Sequence, residues 1–295
     1  MSLMVELIKT FKAHENYVIN VLFSPDGTKL ISSGMDAKIK LWDIISWELI
    51  KVLEDHKNSV NSISSSSDGK ILASGSTDLT VKLWKLPTGE ILRTLKGHKK
   101  TVSTVHISPD KKYLASGSYD GKVNLWGLNS GEQIMSFHPY ERNVSSVAFS
   151  PNGKILAVGG LSESLFLWEI PSGVLINEIS GFQTVISSIA FSPNSQYLAI
   201  CDYESLKILG LEKMEVIQSQ ELIQGYSHNL TFAPDNKTIA ITSDHKIQFF
   251  DISNTELIET IDMKPKGIYG VTYSPNGKLF AMGAADKKIR IWSIS

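Results

Sequence analysis

The sequence has almost no cysteine and no long apolar run. Its single cysteine, Cys201, excludes a disulfide framework within the chain and a cysteine-rich zinc cluster. No uninterrupted apolar stretch approaches the roughly 20 residues of a membrane span, and the N-terminus lacks the features of a signal peptide. The 29 basic and 30 acidic side chains leave a formal net charge of −1, which disfavours a chain built mainly to bind nucleic acid. We therefore expect a protein of a reducing compartment, cytoplasmic or nuclear, that binds neither membranes nor nucleic acid directly.

What the sequence contains instead is an internal repeat of about 42 residues. Its first marker ends a short apolar segment and recurs at Trp42, Trp84, Trp126, Trp168, Leu209, Phe250 and Trp292. Its second marker is an acid or amide in a turn and recurs at Asp26, Asp68, Asp110, Asn152, Asn194, Asp235 and Asn276. Periods of roughly 20–50 residues are typical of solenoids and propellers. The seven copies account for the whole length, so we expect one domain over residues 1–295.

Within each repeat, apolar and polar residues alternate with a period of two, as in residues 18–23, 29–33 and 38–42. This alternation is typical of β-strands, and Asp-Gly or Asn-Gly pairs between them favour tight hairpins. A fourth strand follows each first marker, as at residues 48–53. Four antiparallel strands in each of seven repeats predict an all-β, seven-bladed β-propeller. The predicted blades lie approximately at residues 14–54, 56–96, 98–138, 140–180, 182–221, 223–262 and 264–295, the last together with residues 3–11.

The two ends of the chain are expected to meet in one sheet. Residues 6–11 match the fourth-strand pattern of residues 90–95, and the sequence stops directly after a third strand. An open array would expose strand edges, which proteins generally avoid. We therefore predict that the N-terminal strand completes the last blade.

The third repeat carries several further markers in register: Gly97 and His98, residues 108–110, residues 114–118, Asp120, and Trp126. With them it resembles a WD repeat of the beta-transducin type, and the resemblance extends over the full length of the chain. It implies a non-enzymatic scaffold or adaptor that binds protein or peptide segments within a larger complex. We expect no catalytic residue and no cofactor, and no metal site because the sequence has no local pair of histidines or cysteines at ligand spacing.

The resemblance also implies a buried, hydrogen-bonded tetrad of His, Ser, Asp and Trp in each complete blade. Three blades contain all four residues: His14, Ser32, Asp36 and Trp42; His56, Ser74, Asp78 and Trp84; His98, Ser116, Asp120 and Trp126. A His, Ser and Asp could also form a catalytic triad. Because the trio recurs at the repeat spacing with each serine inside a predicted strand, we interpret it as structural. The tetrads are degenerate in the remaining blades, where the His positions hold Tyr140, Phe182, Ile223 and Lys264 and the Ser positions hold Val158, Ala199, Ala240 and Met282.

Proteins of this family commonly bind partners on the narrow face of the propeller. Two sets of residues take part: those at or just inside the start of the first strand, and those directly before the Asp of the turn that follows the second strand. We call the second set the pre-turn residues, and in blade 5 the spacing assigns this position to Asp202. Mapped onto this sequence, the large side chains at these positions are Tyr17, Met35, Tyr119, Leu161, Tyr226, His228 and Tyr269. Such residues are frequent interface anchors. Isolated exposed apolar residues are also normal on a monomer, and some of these side chains could instead pack on neighbouring blades.

Trp47 is a further candidate, on the opposite face. It stands in a turn where Gly89, Gly131 and Gly173 stand in later repeats. An indole is costly to leave in water. Trp47 therefore either forms a second partner-binding site or packs on the adjacent strand.

Two other functions stay open. A propeller enzyme with a ligand or metal in its central channel would need converging carboxylates or histidines, and the tetrad histidines belong to different blades. A structural subunit would be buried by its rim. The basic stretch Lys96, Lys99, Lys100, Lys111 and Lys112 is either a contact for an acidic partner or a solvated rim. We expect a protein-binding adaptor that is monomeric by itself.

Overall fold

The computed structural model of the chain describes residues 3–222, 229–263 and 267–295. These residues form 28 strands in seven antiparallel sheets of four strands each. In the same ranges, no helix is long and apolar enough to cross a membrane. The prediction of an all-β, seven-bladed propeller is confirmed.

The sheets follow one another along the chain as blades 1 to 7, and only the last contains strands from both ends. The chain begins with β1 (Val5–Lys12). The strands of blades 1 to 3 are β2 (Val18–Phe23), β3 (Lys29–Gly34), β4 (Lys38–Asp43) and β5 (Leu49–Glu54); β6 (Val60–Ser65), β7 (Ile71–Ser76), β8 (Thr80–Lys85) and β9 (Glu90–Lys96); β10 (Val102–Ile107), β11 (Tyr113–Ser118), β12 (Val123–Gly127) and β13 (Gln133–Phe137).

Blades 4 to 7 repeat this plan. Their strands are β14 (Val144–Phe149), β15 (Ile155–Gly160), β16 (Ser164–Glu169) and β17 (Leu175–Ser180); β18 (Ile186–Phe191), β19 (Tyr197–Asp202), β20 (Ser205–Gly210) and β21 (Glu215–Glu221); β22 (Asn229–Phe232), β23 (Thr238–Thr242), β24 (Lys246–Asp251) and β25 (Leu257–Asp262); β26 (Ile268–Tyr273), β27 (Leu279–Ala284) and β28 (Lys288–Ile294). Blade 7 is completed by β1.

The ring is closed by its innermost strands. The first strand of each blade contacts the first strands of both neighbouring blades, and β26 contacts β2. The N-terminal strand β1 pairs with β28, with Val5 opposite Ile294 and Lys12 opposite Lys288. The predicted closure of the last blade by the N-terminal strand is confirmed.

The turn between the first and second strands explains the second sequence marker. In blade 1, Ser24 Oγ donates to Asp26 Oδ1 at 2.5 Å, and the same carboxylate oxygen accepts the backbone N–H of Thr28 at 3.0 Å. Gly27 has φ +68°, which glycine adopts without steric cost. In five other blades the serine two residues earlier donates in the same way to the marker residue, which is Asp68, Asp110, Asn152, Asn194 or Asn276. An oxygen-bearing short side chain is therefore needed at this position to shape the hairpin.

The hydrophobic core lies between the blades. Ile31 and Leu41 of blade 1, for example, are fully buried in one cluster with Val60, Leu72 and Trp84 of blade 2. A single blade cannot bury both of its faces alone, so each depends on its neighbours.

Polar side chains of the first strands also join neighbouring blades. A first strand has no partner strand on its inner side, so some of its backbone N–H groups need other acceptors. Six of these N–H groups donate to a side chain of the preceding blade. The donor and acceptor pairs are Val105 and Ser62, Ile107 and Ser64, Val147 and Thr104, Phe149 and His106, Ile189 and Ser146, and Leu230 and Ser188. These inter-blade bonds span blades 2 to 6.

Candidate functional site

The four tetrad residues of blade 2 form one continuous chain of hydrogen bonds. Trp84 Nε1 donates to Ser74 Oγ at 2.8 Å, and Ser74 Oγ lies 2.7 Å from His56 Nε2. His56 Nδ1 lies 2.7 Å from Asp78 Oδ2, which also accepts the backbone N–H of Lys57 at 3.0 Å. Every polar group is satisfied when the Ser74 hydroxyl donates to Nε2 and a neutral imidazole donates from Nδ1.

Blades 1 and 3 contain the same chain. Its bonds join Trp42, Ser32, His14 and Asp36 in blade 1, and Trp126, Ser116, His98 and Asp120 in blade 3. Burial raises the pKa of the Asp36 carboxyl, but hydrogen bonds from His14 and from backbone amides outweigh it, so the pKa lies below its ordinary value. Burial lowers the pKa of His98, which favours the neutral imidazole that the bonding chain requires.

The degenerate blades replace this chain in different ways. In blade 4, the hydroxyl of buried Tyr140 lies 2.8 Å from the carbonyl oxygen of Ser164. In blade 5, Ile200 and not the expected Ala199 takes the Ser position, because Ile200 pairs with Lys207 as Ser74 pairs with Lys82, and it is buried in one apolar cluster with Phe182. In blade 6, Ile241 takes this position instead of Ala240 for the same reason. In blade 7, Asp286 forms an ion pair with Arg290. The residues at the His positions of blades 6 and 7, Ile223 and Lys264, lie outside the described residues.

The tetrads hold loops in place. The serine of each complete tetrad is fully buried, whereas a nucleophilic hydroxyl must reach a substrate. The Asp of each tetrad accepts the backbone N–H of the residue after the His, namely Glu15, Lys57 and Lys99. Each tetrad thus fixes the loop that precedes the first strand of its blade.

These loops lie on the narrow face, which we define as the end of the propeller where first strands begin and second strands end. In five blades the pre-turn residue donates its backbone N–H to the carbonyl of the strand-entry residue at 2.9 Å. The pairs are Met35 with Tyr17, Thr77 with Ser59, Tyr119 with Thr101, Leu161 with Asn143 and Ala285 with Gly267. The two sets of predicted positions therefore lie side by side on one face.

Four of the predicted partner-binding side chains are exposed on this face. Tyr17, Met35, Tyr119 and Leu161 have 37%, 40%, 45% and 47% of their surface accessible. Tyr269 is partly buried and stacks on Tyr17 across the junction of blades 7 and 1, with ring centroids 6.0 Å apart. Their role in binding stays a prediction.

Tyr226 and His228, the other two candidates on the narrow face, lie outside the described residues.

The register of blade 5 differs from the expected one. Asp202 is the last residue of β19 and pairs with Ile186, as Gly160 pairs with Val144 in blade 4. Tyr203, not Asp202, therefore occupies the pre-turn position. The reason is a shorter turn, in which the Asp202 carboxylate accepts the backbone N–H groups of Glu204 and Ser205.

Leu79 is an exposed apolar residue of the narrow face that the sequence pattern did not single out. It is 41% exposed and has φ +71°, a left-handed conformation that is unfavourable for leucine. The signal in the sequence is its position directly after the turn Asp, where blade 3 has Gly121.

Trp47 packs on the adjacent blade. Its ring centroid lies 6.4 Å from that of Phe11, which in turn packs edge-on against Trp42 at 4.9 Å. Gly89 stands at the position of Trp47 in blade 2 and lies in the same way against the preceding blade, beside Leu53 of blade 1. Trp47 is thus partly buried against the neighbouring strand, and a role of its exposed part in partner binding stays a prediction.

The basic stretch divides between the two ends of blade 3. Lys111 forms an ion pair with Asp68 at 2.8 Å and Lys112 with Asp110 at 3.5 Å, both in turns at the opposite end from the narrow face. Lys99 and Lys100 are exposed in the loop that enters β10, on the narrow face. The five lysines do not form one patch.

The central channel contains an open cavity of about 370 Å³, lined by polar residues of the first strands, such as Asn61 and Ser103, and by apolar ones, such as Ile19. Several of these side chains bond across blades: Asn61 donates to the carbonyl of Val102 at 2.9 Å, and Ser103 donates to that of Val144 at 2.5 Å. Over residues 3–222, 229–263 and 267–295, no three His, Cys, Asp or Glu side chains come together as a metal site.

Comparison with known families gives one match. A family model described as "WD domain, G-beta repeat" matches residues 5–43, 47–85, 89–127, 131–169, 173–208 and 256–293. Each matched segment runs from an outer strand through the first three strands of the next blade. The unmatched residues between 208 and 256 contain β21 to β24. Comparison with curated proteins gives no match.

Proposed function

The chain belongs to the WD domain, G-beta repeat family, and from this membership we propose that it is an adaptor that binds protein or peptide segments on the narrow face within a larger complex. Propellers of this family typically serve as protein-interaction scaffolds and are generally not enzymes. The proposal adds which face binds and what kind of partner segment it binds.

The exposed side chains of the narrow face carry the proposal. Tyr17, Met35, Tyr119 and Leu161 present large apolar surfaces on one end of the molecule. In blades 1 and 3 the loops beside them are fixed by buried tetrads. A surface that is ordered before binding loses little conformational entropy when a partner is bound, which favours affinity.

The rim supports a second candidate, a structural subunit that neighbours bury around its circumference. The outer strands also expose aliphatic residues, among them Leu49, Ile134 and Leu175 at 46%, 46% and 47%. Leu49 and Leu175 stand at the same position of their repeats and begin outer strands, and Ile134 stands one position further along its outer strand. The large residues of the narrow face differ from blade to blade, which a specific binding surface requires. We therefore favour the narrow face.

The test is quantitative affinity capture from native lysate with three forms of the full chain. The face variant carries Tyr17→Ala, Tyr119→Ala and Leu161→Ala. The matched rim variant carries Leu49→Ala, Ile134→Ala and Leu175→Ala, which remove side chains of similar exposure. Melting curves establish that both variants are folded.

We expect proteins retained by the wild-type chain to be lost from the face variant and kept by the rim variant. The reverse pattern would replace the narrow-face adaptor by the rim-buried subunit. If neither variant changes the retained proteins, both assignments are wrong.

A further inference from the structure

We propose that the segment bound on the narrow face is acidic, and that its carboxylates lie over blades 2 and 3. This inference rests on the proposed function, because it specifies the partner of the same face. It is carried by the separation of charge on that face and by the position of two exposed apolar residues among its lysines.

Three exposed lysines stand on the narrow face of blades 2 and 3. Lys57 follows the tetrad histidine of blade 2, and Lys99 and Lys100 follow that of blade 3. Within the described ranges of the chain, none of the three forms an ion pair, whereas Lys111 and Lys112 at the opposite end do. Their ammonium groups are available to a partner.

Two acidic residues beside these lysines, Asp78 and Asp120, are directed inward, and a third near Lys57, Asp55, is paired with Lys82. The side chains of Asp78 and Asp120 are only 9% and 7% exposed and bond to the tetrad histidines. They accept the backbone N–H groups of Lys57 and Lys99 at 3.0 and 2.8 Å. The carboxylates therefore fix the lysine backbones and leave the charged ends of these side chains facing solvent.

Two apolar anchors stand on the same two blades. Tyr119 lies in the turn held against the strand entry beside Lys100, with its backbone N–H bonded to the carbonyl of Thr101. Leu79 occupies the corresponding turn of blade 2 in a left-handed conformation. Exposed leucine in that conformation is unfavourable for the free protein. Apolar anchors among cations suit a partner with apolar residues flanked by Asp or Glu.

The charge differs among the other blades of the narrow face: blade 7 also exposes two lysines, Lys287 and Lys288, whereas blades 4 and 5 are mainly acidic. In blades 4 and 5, Glu141, Glu163 and Glu204 are exposed, beside the exposed Arg142 and the partly buried Lys207, which donates to the carbonyl of Gly181. In blade 1, Glu15 is paired with Lys12 at 2.7 Å. A nucleic acid carries uniform negative charge and would meet repulsion over blades 4 and 5. A peptide can place its carboxylates over blades 2 and 3 alone, so we favour a peptide.

The experiment measures binding of the full chain to three pools of fluorescent peptides of about 14 residues. Each pool has Leu and Tyr at two fixed positions, with the other positions drawn from Ser and Gly plus Asp and Glu, Asn and Gln, or Lys and Arg. The face variant carries Lys57→Glu, Lys99→Glu and Lys100→Glu. The control variant, Lys9→Glu, Lys51→Glu and Lys154→Glu, makes the same change in net charge at exposed positions of other blades, two on outer strands and one in a turn opposite the narrow face.

We expect the acidic pool to bind tightest to the wild-type chain. Its affinity should fall by about tenfold or more in the face variant, as loss of several surface ion pairs implies, and change little in the control. Salt at about 0.5 M should weaken the binding, since exposed charges are then screened.

Other outcomes overturn the inference in distinguishable ways. If the neutral pool binds as tightly as the acidic one and Tyr119→Ala abolishes binding, the acidic partner is wrong and the narrow-face adaptor stands. If the control variant loses as much affinity as the face variant, the lysines of blades 2 and 3 are not the site. If a single-stranded DNA probe binds these lysines more tightly than the acidic pool, the partner is a nucleic acid. If no pool binds, the inference fails, and the capture experiment decides the adaptor function independently.

Discussion

Replacing Ser74 by alanine tests whether the tetrads stabilise the fold. The Ser74 hydroxyl bonds to both Trp84 Nε1, at 2.8 Å, and His56 Nε2, at 2.7 Å. Both rings are buried, at 2% and 6% exposure, so neither can turn to solvent. Ser74→Ala leaves one buried donor and one buried acceptor unpaired, each at about 1–3 kcal/mol. We expect the free energy of unfolding to fall by about 2–4 kcal/mol.

The assay is urea unfolding followed by tryptophan fluorescence, with hydrogen exchange of the Lys57 amide as a local measurement. That amide is bonded to Asp78 and should exchange faster when the tetrad is broken. The double variant His56→Phe with Ser74→Ala should lose less stability than the sum of the single variants, because the unpaired acceptor is removed with its donor. Blade 5 shows that such an apolar pair can be buried, with Phe182 and Ile200 in these positions.

Ile200→Thr, compared with Ile200→Val, provides the reciprocal control. Relative to valine, threonine places a hydroxyl in the apolar cluster of Phe182 and Leu209, neither of which offers a side-chain partner, and should destabilise the chain by about 1–3 kcal/mol. A Ser74→Ala effect below about 0.5 kcal/mol, or strict additivity in the double variant, would refute a stabilising network.

Two further predictions concern closure and pH. Deleting residues 1–12 removes β1 from blade 7 and the contact of Phe11 with Trp42. We expect the melting temperature to fall by about 10 °C or more. An unchanged melting temperature would contradict closure of the ring by pairing of β1 with β28. Burial lowers the pKa of His106 to about 4 from its ordinary value near 6.5, so its contribution to stability is complete above about pH 6.5 and is lost as the pH falls towards 4. His106→Ser keeps an acceptor for the Phe149 N–H, because a serine, Ser64, accepts the corresponding N–H of Ile107. The variant should reduce the change of the melting temperature between pH 4.5 and 6.5. If this pH dependence is unaltered, His106 is not its source.

The repeat made much of the fold predictable. Trp42, Trp84 and Trp126 stand at one position of successive units, and each unit has the same alternation and the same turn chemistry. A closed ring of identical units leaves little choice of topology, so the number of blades and the pairing of the chain ends followed from the spacing.

Prediction was least accurate where the spacing changes or where side chains meet across blades. Blade 5 shortens one turn, and Tyr203 rather than Asp202 takes the pre-turn position. Trp47 occupies a glycine position, and only the neighbouring Phe11 shows what its ring contacts. The bond from Phe149 N–H to His106 joins residues 43 apart, and alternation alone does not distinguish such an acceptor from a solvated side chain.

The sequence by itself determined the seven units, their strands and the residue types of the tetrads, because these depend on local periodicity and on chemistry repeated in every unit. Only the tertiary structure decided which polar groups face inward and which charges remain on the surface. Asp78 and Lys57 stand 21 residues apart, yet the fold buries the carboxylate against a histidine and leaves the ammonium group in solvent. Burial and orientation of this kind depend on how neighbouring strands and blades pack, and linear spacing carries no information about that packing.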